Sequence, residues 1–260
     1  MRHLPISLTR LLEFITLWIF FSVSPSYAEE LVMSVGEYEP YIDSQATNQG
    51  FMTELVSEAY KRVGVDINLE FKPWKRVGSV DIDQENRVSF AWVKTESRLK
   101  KWLYSDPIVS DKTVLVARTD SNISWNTYAD LKPYRVGVTS GYSYGDSFDN
   151  YKVNLSVEEG NTDLQNLRKV LYQRIELLVI GEYVGPMLVR KNFSTEQQKQ
   201  FHFIVDPYIA VDRLHTVCAK NNERCALLID QFNIGLELMK NDGTYARIVD
   251  HALGQYHEDE

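Results

Sequence analysis

Arg98 is the residue of this sequence best placed to bind a small anion. Arg98 follows a strand-like run, Val88 to Val93, and a polar turn. An amphipathic turn comes after it and ends at an aromatic-Ser-Asp-Pro segment, Tyr104 to Pro107. An arginine at a strand-to-helix junction is well placed to hold a carboxylate, because its planar guanidinium donates two parallel hydrogen bonds. The alternative is a solvated surface arginine beside a short helix.

The other residue types that carry chemistry form no catalytic motif. The five histidines are scattered, and the sequence has no nucleophile elbow, no H-E-x-x-H zinc motif and no phosphate loop. Cys218 and Cys225 lie close together. In an oxidising compartment they would form a disulfide that closes a short loop, the alternative being two reduced, buried thiols. We expect neither a metal nor a cofactor.

The N-terminus has the features of a secretory signal peptide. Arg2 and Arg10 supply positive charge, Phe14 to Val23 is a short apolar stretch, and Ala28 ends a small-x-small cleavage site. We expect residues 1–28 to be removed and the remainder to be exported to the periplasm. The apolar stretch is short for a membrane span, although an uncleaved anchor is the alternative.

The composition describes an acidic chain long enough to bury a sizeable core. Its 260 residues carry 28 Lys and Arg against 36 Asp and Glu, a net charge of −8, and 44% of them are hydrophobic. The acidic balance disfavours nucleic acid and anionic membrane surfaces as partners. The length suits one large domain or two small ones, and we expect a monomer.

Strands and helices alternate along the rest of the chain. Predicted strands lie near residues 31–35, 66–71, 87–93, 112–118, 134–138, 153–157, 175–180, 201–205 and 214–219. Predicted helices lie near residues 51–63, 73–80, 162–172, 182–190, 223–240 and 245–253, with a helical turn at 128–133. The order up to residue 93 is β-α-β-α-β, which is typical of a mostly parallel sheet with helices packed on it. A second α/β unit begins after Pro107.

Three segments, in their order, resemble family 3 extracytoplasmic solute-binding proteins, the periplasmic receptors for polar amino acids. Thr95 to Pro107 is similar to the T-x-x-R…(F/Y)-S-x-P signature of that family, Leu131 to Gly141 to its entry into the second lobe, and Asn241 to Val249 to its C-terminal helix. The resemblance covers nearly all of residues 29–260. It implies the type II periplasmic-binding-protein fold, an α/β fold of two lobes, each a mostly parallel sheet flanked by helices, joined by two hinge crossovers.

The resemblance also implies where the lobes divide. Residues 29–108 and 213–260 would form the first lobe, and residues 109–212 the second, with crossovers near 108–111 and 209–213. In such receptors the ligand lies in the cleft between the lobes, outside the carboxyl ends of strands.

The ligand site implied by the resemblance has a carboxylate half centred on Arg98, which clamps the ligand carboxylate in that family. Gly141, Tyr142 and Ser143 match a loop whose backbone N–H groups and hydroxyl complete the pocket, and a glycine-led turn into a helix N-terminus suits an anion. Tyr142 replaces the usual small hydroxyl residue, so Ser143 is the better candidate. The full set of candidate ligand-binding residues is Tyr38, Tyr41, Trp74, Arg76, Ala91, Val93, Arg98, Gly141, Tyr142, Ser143 and Glu182.

Aromatic residues would form the walls of this site. Tyr38 or Tyr41 would stack on the ligand, unless these tyrosines only cover the end of a helix. Trp74 and Arg76, in the Pro-Trp-Lys-Arg segment, would add an aromatic wall and a second cation, unless this segment is solvated surface.

The amine half of the site departs from the family. Family members hold the ligand amine with backbone groups near Ala91 and with a threonine, whose position is Val93 here. The aspartate that pairs with the ligand amine falls, by ungapped counting from Arg174, on Gly181, and Glu182 is next to it. Either Glu182 takes this role after a one-residue shift, or the amine contact is absent.

The function that the resemblance implies is capture of an amino acid or related small carboxylate for delivery to the permease of an ABC-type transporter. Two alternatives stay open. One is a ligand-sensing input for a membrane receptor. The other is a periplasmic dehydratase of cyclic amino-acid precursors, in which Glu182 or Glu39 would be the cleft acid. We expect a binding protein without catalytic residues.

Overall fold

The computed structural model describes residues 29–83 and 87–257, so the predicted signal peptide lies outside the described residues. Among the described residues, none of the helices combines the length and the apolar character needed to span a bilayer. The nine strands described are β1 Glu29–Val35, β2 Val65–Phe71, β3 Ser89–Val93, β4 Trp102–Arg118, β5 Arg135–Thr139, β6 Ser156–Gly160, β7 Leu177–Gly181, β8 Phe201–Ile204 and β9 Ala210–Ala219. The α-helices described are α1 Phe51–Lys61, α2 Trp74–Arg76, α3 Glu96–Leu99, α4 Gly145–Tyr151, α5 Asp163–Leu171, α6 Val184–Asn192, α7 Thr195–Gln198, α8 Cys225–Asn241 and α9 Thr244–His257.

The strands form a small parallel sheet and a larger mixed sheet. Strands β1 and β2 pair in parallel, and the order in the larger sheet is β3-β9-β4-β7-β5-β6, with β8 also paired to β4. A parallel bridge between Met33 and Val88 joins β1 to the chain just before β3, so the two sheets are continuous in space. Parallel pairs connected through helices are the arrangement that the alternating pattern predicts.

The long strands β4 and β9 lie side by side in the interior of the larger sheet, between β3 and β7. Their antiparallel pairing extends from Trp102 opposite Ala219 to Thr113 opposite Ala210, after which β4 pairs with β7 and β8. The predicted strand at 112–118 is therefore only the second half of β4. Pro107 is tolerated inside β4 because it lies between two register shifts, where the ladder is already interrupted.

Helices α1 and α8 pack closely and form much of the core around β1 to β3. The Tyr60 hydroxyl donates to the Leu228 carbonyl at 3.1 Å, and a side chain at Gly235 would collide with the Ala59 backbone. The buried apolar residues of the two helices contact each other here: Phe51, Met52, Leu55, Val56, Ala59, Tyr60, Leu228, Ile229, Phe232, Leu236 and Met239.

Cys218 and Cys225 form the predicted disulfide, which is confirmed. Their Cα atoms are 5.7 Å apart, and both side chains are fully buried. The bond joins the end of β9 to the first turn of α8, so it fixes the start of the helix that covers the core.

Two short helices and one turn differ from the sequence-based predictions. Helix α4 has an almost wholly polar sequence that buries only Gly145 and Phe148, so it lacks the apolar periodicity by which helices are recognised. Helix α7 is a single turn. The strand predicted at 153–157 begins only at Ser156, because Lys152–Asn154 forms a 3₁₀ turn.

Candidate functional site

The candidate site is a cavity of about 50 Å³ at the centre of the larger sheet, where β4 and β9 run side by side. It is lined by Tyr38, Trp74, Ala91, Trp92, Val93, Arg98, Asp111, Thr113, Gly141, Tyr142, Ser143, Tyr144, Gly181, Asp212 and Leu214. One water needs at least about 10–15 Å³ of such space, so the cavity has room for only a few water molecules or a compact ligand.

The Arg98 side chain reaches the cavity from helix α3. The hydroxyl of Thr95 caps this helix by accepting from the Arg98 backbone N–H at 3.3 Å. The guanidinium lies 4.7 Å from the ring of Trp92 and 5.6 Å from that of Trp102, and Nη1 donates to the Val93 carbonyl at 3.1 Å. Among the described residues, Arg98 forms no ion pair. Burial lowers the pKa of Arg98 from its usual value, and the charges of Asp149 and Asp146 act in the opposite direction.

The backbone of β3 is irregular at the cavity wall. Ala91 has φ of 68°, a left-handed conformation that is uncommon for residues other than glycine, and the register with β9 shifts between Ser89 and Trp92. Such a bulge bends the strand and changes where its side chains point. At this bulge, three consecutive residues, Ala91, Trp92 and Val93, all line the cavity.

Aromatic rings enclose the cavity from both sides. Trp74 is fixed by a hydrogen bond from its Nε1 to the Glu37 carbonyl at 2.9 Å, and Gly36 leaves the space that this ring fills. The ring of Tyr142 meets Tyr38 and Trp74 edge-on, with centroids 5.8 Å and 6.4 Å away. These edge contacts connect the loop after β1, the α2 segment and the loop after β5.

The loop after β5 approaches the α2 segment closely. Gly141 has φ of 85°, and a Cβ there would lie 2.7 Å from the Lys75 backbone nitrogen. The hydroxyl of Tyr142 donates to Asp163 Oδ2 at 3.0 Å, and that of Ser143 to Asp149 Oδ2 at 2.5 Å. The loop is therefore held by the buried carboxylate of Asp163 and the partly exposed carboxylate of Asp149, and the Ser143 hydroxyl proton is already used within the protein.

Asp111, on β4, brings a second charge to the cavity. Its carboxylate accepts from the Tyr38 hydroxyl at 2.5 Å and from the Tyr41 hydroxyl at 2.9 Å. Burial raises the pKa of Asp111 to about 6, although the two hydrogen bonds act in the opposite direction. Asp212 is its Cα partner on β9, and burial raises the pKa of Asp212 as well.

Most predicted site residues meet at this cavity, and three do not line it. The eight that line it are Tyr38, Trp74, Ala91, Val93, Arg98, Gly141, Tyr142 and Ser143. Tyr41 lies behind Asp111 and is 1% exposed. Arg76 lies 3.7 Å from Asp81 and is half-exposed. Glu182 accepts from Tyr208 at 3.2 Å and lies 3.8 Å from the Lys112 ammonium, so its contact with a ligand amine stays a prediction.

The acids at the cavity, Asp111 and Asp212, are not among the residues predicted from the sequence. Asp111 lies between apolar and hydroxyl residues in the interior of β4, and an acid at such a position is the signal that could have identified it. Prediction of this segment as a crossover concealed that signal.

A group of acids close enough to share a cation lies outside the cavity. Glu37, Glu39 and Asp43 have carboxylate oxygens within 4.8 Å of one another. The ammonium of Lys191 already lies 2.7 Å from Glu39 and 3.7 Å from Asp43. This contact ties the loop after β1 to α6 and gives no indication of a metal.

Together, the fold and the cavity define a class of protein. Two strands run through a mixed α/β framework beside an aromatic-walled cavity, which is lined by a guanidinium that forms no ion pair with the described residues, as expected of a receptor for a small solute. Residues 31–255 match the family of bacterial extracellular solute-binding proteins, family 3, and the chain belongs to that family.

Individual relatives agree with this assignment. The chain is 21% identical over 239 residues to an arginine-binding periplasmic protein of Mannheimia haemolytica, an alignment that covers 91% of this chain and 96% of the relative. The crystal structure of the substrate-binding protein of an amino acid ABC transporter superposes with a TM-score of 0.72 at 19% identity, covering 86% and 99% of the two chains. A histidine kinase sensor domain with similarity to periplasmic binding proteins superposes with a TM-score of 0.74 at 18% identity, covering 86% and 96%. The predicted family and the type II periplasmic-binding-protein fold are confirmed.

Proposed function

We propose that this protein captures an amino acid or a related small carboxylate in the central cavity and delivers it to the permease of an ABC-type transporter. The observation that carries the proposal is the Arg98 guanidinium, which lines an enclosed cavity and forms no ion pair with any residue in the described part of the chain. The relatives supply the solute class, because the proteins named for a ligand or transporter above are concerned with amino acids.

The energetics favour a carboxylate over a neutral solute. A buried charge without a partner is costly, whereas a carboxylate that enters the cavity gains charge-assisted hydrogen bonds from a guanidinium already fixed by the Val93 carbonyl and the rings of Trp92 and Trp102. Because these contacts hold the Arg98 guanidinium in place before the ligand binds, little side-chain conformational entropy is lost on binding.

Lobe movement would couple binding to delivery. We assign residues 29–108 and 213–260 to one lobe and residues 109–212 to the other, with hinges in β4 and β9. Contacts between these segments, such as Lys191 with Glu39 and the Glu96 backbone N–H with Asp146 at 3.1 Å, would form on closure and break on opening. The permease would recognise the closed form, whose population the ligand increases.

The proposal includes export and a purely binding role. Residues 1–28 would act as a signal peptide cleaved after Ala28, and the protein would work as a periplasmic monomer. No residue is assigned a catalytic role, and the acids at the cavity are assigned to ligand binding instead of proton transfer.

A sensing function is the second candidate, and the similarity to a histidine kinase sensor domain favours it. The cavity would bind the same ligand, and the closed form would contact a receptor in place of a permease. Uptake of labelled ligand by membrane vesicles that contain a candidate ABC-type permease separates the two functions, because only a transport role makes uptake depend on this protein.

A thermal-shift screen tests the proposed ligand class. Ligand at one hundred times its dissociation constant stabilises the folded chain by about 2.7 kcal/mol, a shift of about 5–10 °C for a protein of this size. We expect shifts with amino acids or plain carboxylates and none with sugars. Stabilisation only by uncharged solutes would refute the carboxylate site.

A further inference from the structure

Asp111 is a buried carboxylate that faces the cavity without a cation. Its side chain is 6% exposed, and its oxygens accept from Tyr38 on one side and Tyr41 on the other. It has no ion pair with any residue in the ranges the structure describes. Two hydroxyl donors do not neutralise a charge, and each carboxylate oxygen has a further lone pair for a donor that enters the cavity.

Asp212 lies beside Asp111 on the neighbouring strand. The two residues are Cα partners in the antiparallel β4–β9 pair, so their side chains leave the ribbon on the same face. Asp212 Oδ2 is buried and has no hydrogen-bond partner within the described chain. The charged side chains that line the cavity are thus two carboxylates and a guanidinium, and none of the three forms an ion pair with a residue that the structure describes.

We propose that Asp111, assisted by Asp212, binds the ammonium group of the ligand whose carboxylate binds Arg98, so that the ligand is a compact zwitterion. This inference rests on the proposed function. An ammonium group has three donors and can reach both carboxylates, whereas a plain carboxylate leaves the acids unpaired and adds a third negative charge to the cavity. The small cavity volume restricts the ligand to a short side chain unless the cleft widens.

The geometry favours Asp111 over the residues at the end of β7. A Cβ at Gly181 would lie 2.8 Å from the Tyr38 hydroxyl, so no acidic side chain fits at that position. The next residue, Glu182, does not line the cavity and is engaged by Tyr208 and Lys112. The Tyr38 hydroxyl occupies the space above Gly181 and holds Asp111 instead.

The inference predicts a pH dependence of binding. The ionisable groups coupled to Asp111 are Tyr38 and Tyr41 from the loop after β1, Tyr142 from the loop after β5, Glu182 and Tyr183 after β7 and Asp212 from β9. The acids among them favour the protonated form of Asp111. A ligand ammonium favours the ionised form. Binding of a zwitterion should therefore release a proton near pH 6, and affinity should fall as the pH decreases from 7 to 5.

Calorimetric titration with matched probe pairs tests the inference. The probes are L-alanine with propanoate and glycine with acetate, each pair differing in the ammonium group, together with larger L-amino acids and their deaminated forms. We expect the wild-type protein to bind the amino acid of its preferred pair at least 100-fold more tightly than the deaminated form. Asp111→Asn should reduce this preference to below 10-fold, and it should raise the affinity for the deaminated carboxylate, because one of the negative charges that face it is removed. The control Asp106→Asn removes an exposed carboxylate from the same strand and should change neither.

Proton release by the wild-type protein gives a second readout that needs no variant. Titration at pH 6 in two buffers of different ionisation enthalpy should show release of about half a proton with the amino acid, because a group with a pKa near 6 is half-protonated there. An unchanged preference in a folded Asp111→Asn protein, or binding of the amino acid without proton release, would overturn the inference while Arg98-dependent binding upheld the proposed function. No binding of any probe would refute the proposed function, and the inference with it.

Discussion

Truncation of Arg98 should abolish most ligand binding and leave the fold intact. The guanidinium donates to the Val93 carbonyl and lies over the rings of Trp92 and Trp102, so Arg98→Ala removes a fixed fork from the cavity. A bound carboxylate would then be left with no opposite charge from any cavity-lining residue the structure describes.

The expected loss follows from the charge that is left unpaired. Removal of one partner from a buried, hydrogen-bonded ion pair costs about 3–5 kcal/mol, which corresponds to binding weaker by roughly 10²–10⁴-fold. Arg98→Lys keeps the charge and loses the two-pronged geometry, so we expect a loss of roughly tenfold. The free energy of unfolding of the ligand-free Arg98→Ala protein should change by less than about 1 kcal/mol, because the lost ring contacts are offset by relief of a desolvated charge.

Isothermal titration of the preferred amino acid measures the effect, and thermal unfolding checks the fold. The matched control is Arg168→Ala, which removes an exposed arginine of α5 that does not line the cavity. Affinity of the Arg98→Ala protein within threefold of wild type would refute the assignment of Arg98. An equal loss in Arg168→Ala would show that the effect is one of net charge.

Three further changes test other parts of the structure. Gly141→Ala should weaken binding at least tenfold, because its Cβ would collide with the Lys75 backbone. The control Gly243→Ala has a similar positive φ with open space around it and should only lower stability. Equal binding by the two variants would contradict the close approach of the Gly141 loop to the α2 segment. Replacement of Cys218 and Cys225 by serine should cost about 2 kcal/mol of unfolding free energy relative to the oxidised wild type, measured with denaturant, and no loss would mean that the disulfide does not form in solution. Burial raises the pKa of Asp111 from about 4 in the unfolded chain to about 6, so the ligand-free folded chain holds this proton more tightly. The resulting contribution to stability, about 3 kcal/mol, is fully present below pH 4 and is lost as the pH rises through 6, and Asp111→Asn should flatten that decline in pH-dependent unfolding.

The helices and strands with clear periodicity were predictable from the sequence. The apolar residues of Phe51–Lys61 and Cys225–Asn241 recur at helical spacing, and the buried strand Leu177–Gly181 reads as a continuous apolar run. The predicted start of a strand was wrong where pairing with a distant strand outweighs the local sequence pattern. Strand β4 continues through Pro107 because its partner β9 shifts register there, and no feature of the local sequence shows this.

Eight of the predicted site residues line the cavity, but its two acids were not predicted. Arg98 and the Gly141–Ser143 loop were identified by type and by position after a strand, and they line the same cavity. Asp111 and Asp212 lie far apart in sequence and meet only through the antiparallel pairing of β4 and β9. Their importance depends on burial and on missing partners, properties that arise from the folded chain.

The structure of a complex with the tightest-binding ligand of the screen tests the central claim most directly. We predict a carboxylate of the ligand within about 3 Å of both terminal nitrogens of Arg98, in the cavity between β4 and the Gly141–Ser143 loop. A ligand bound elsewhere, or one whose carboxylate points away from Arg98, would contradict the account.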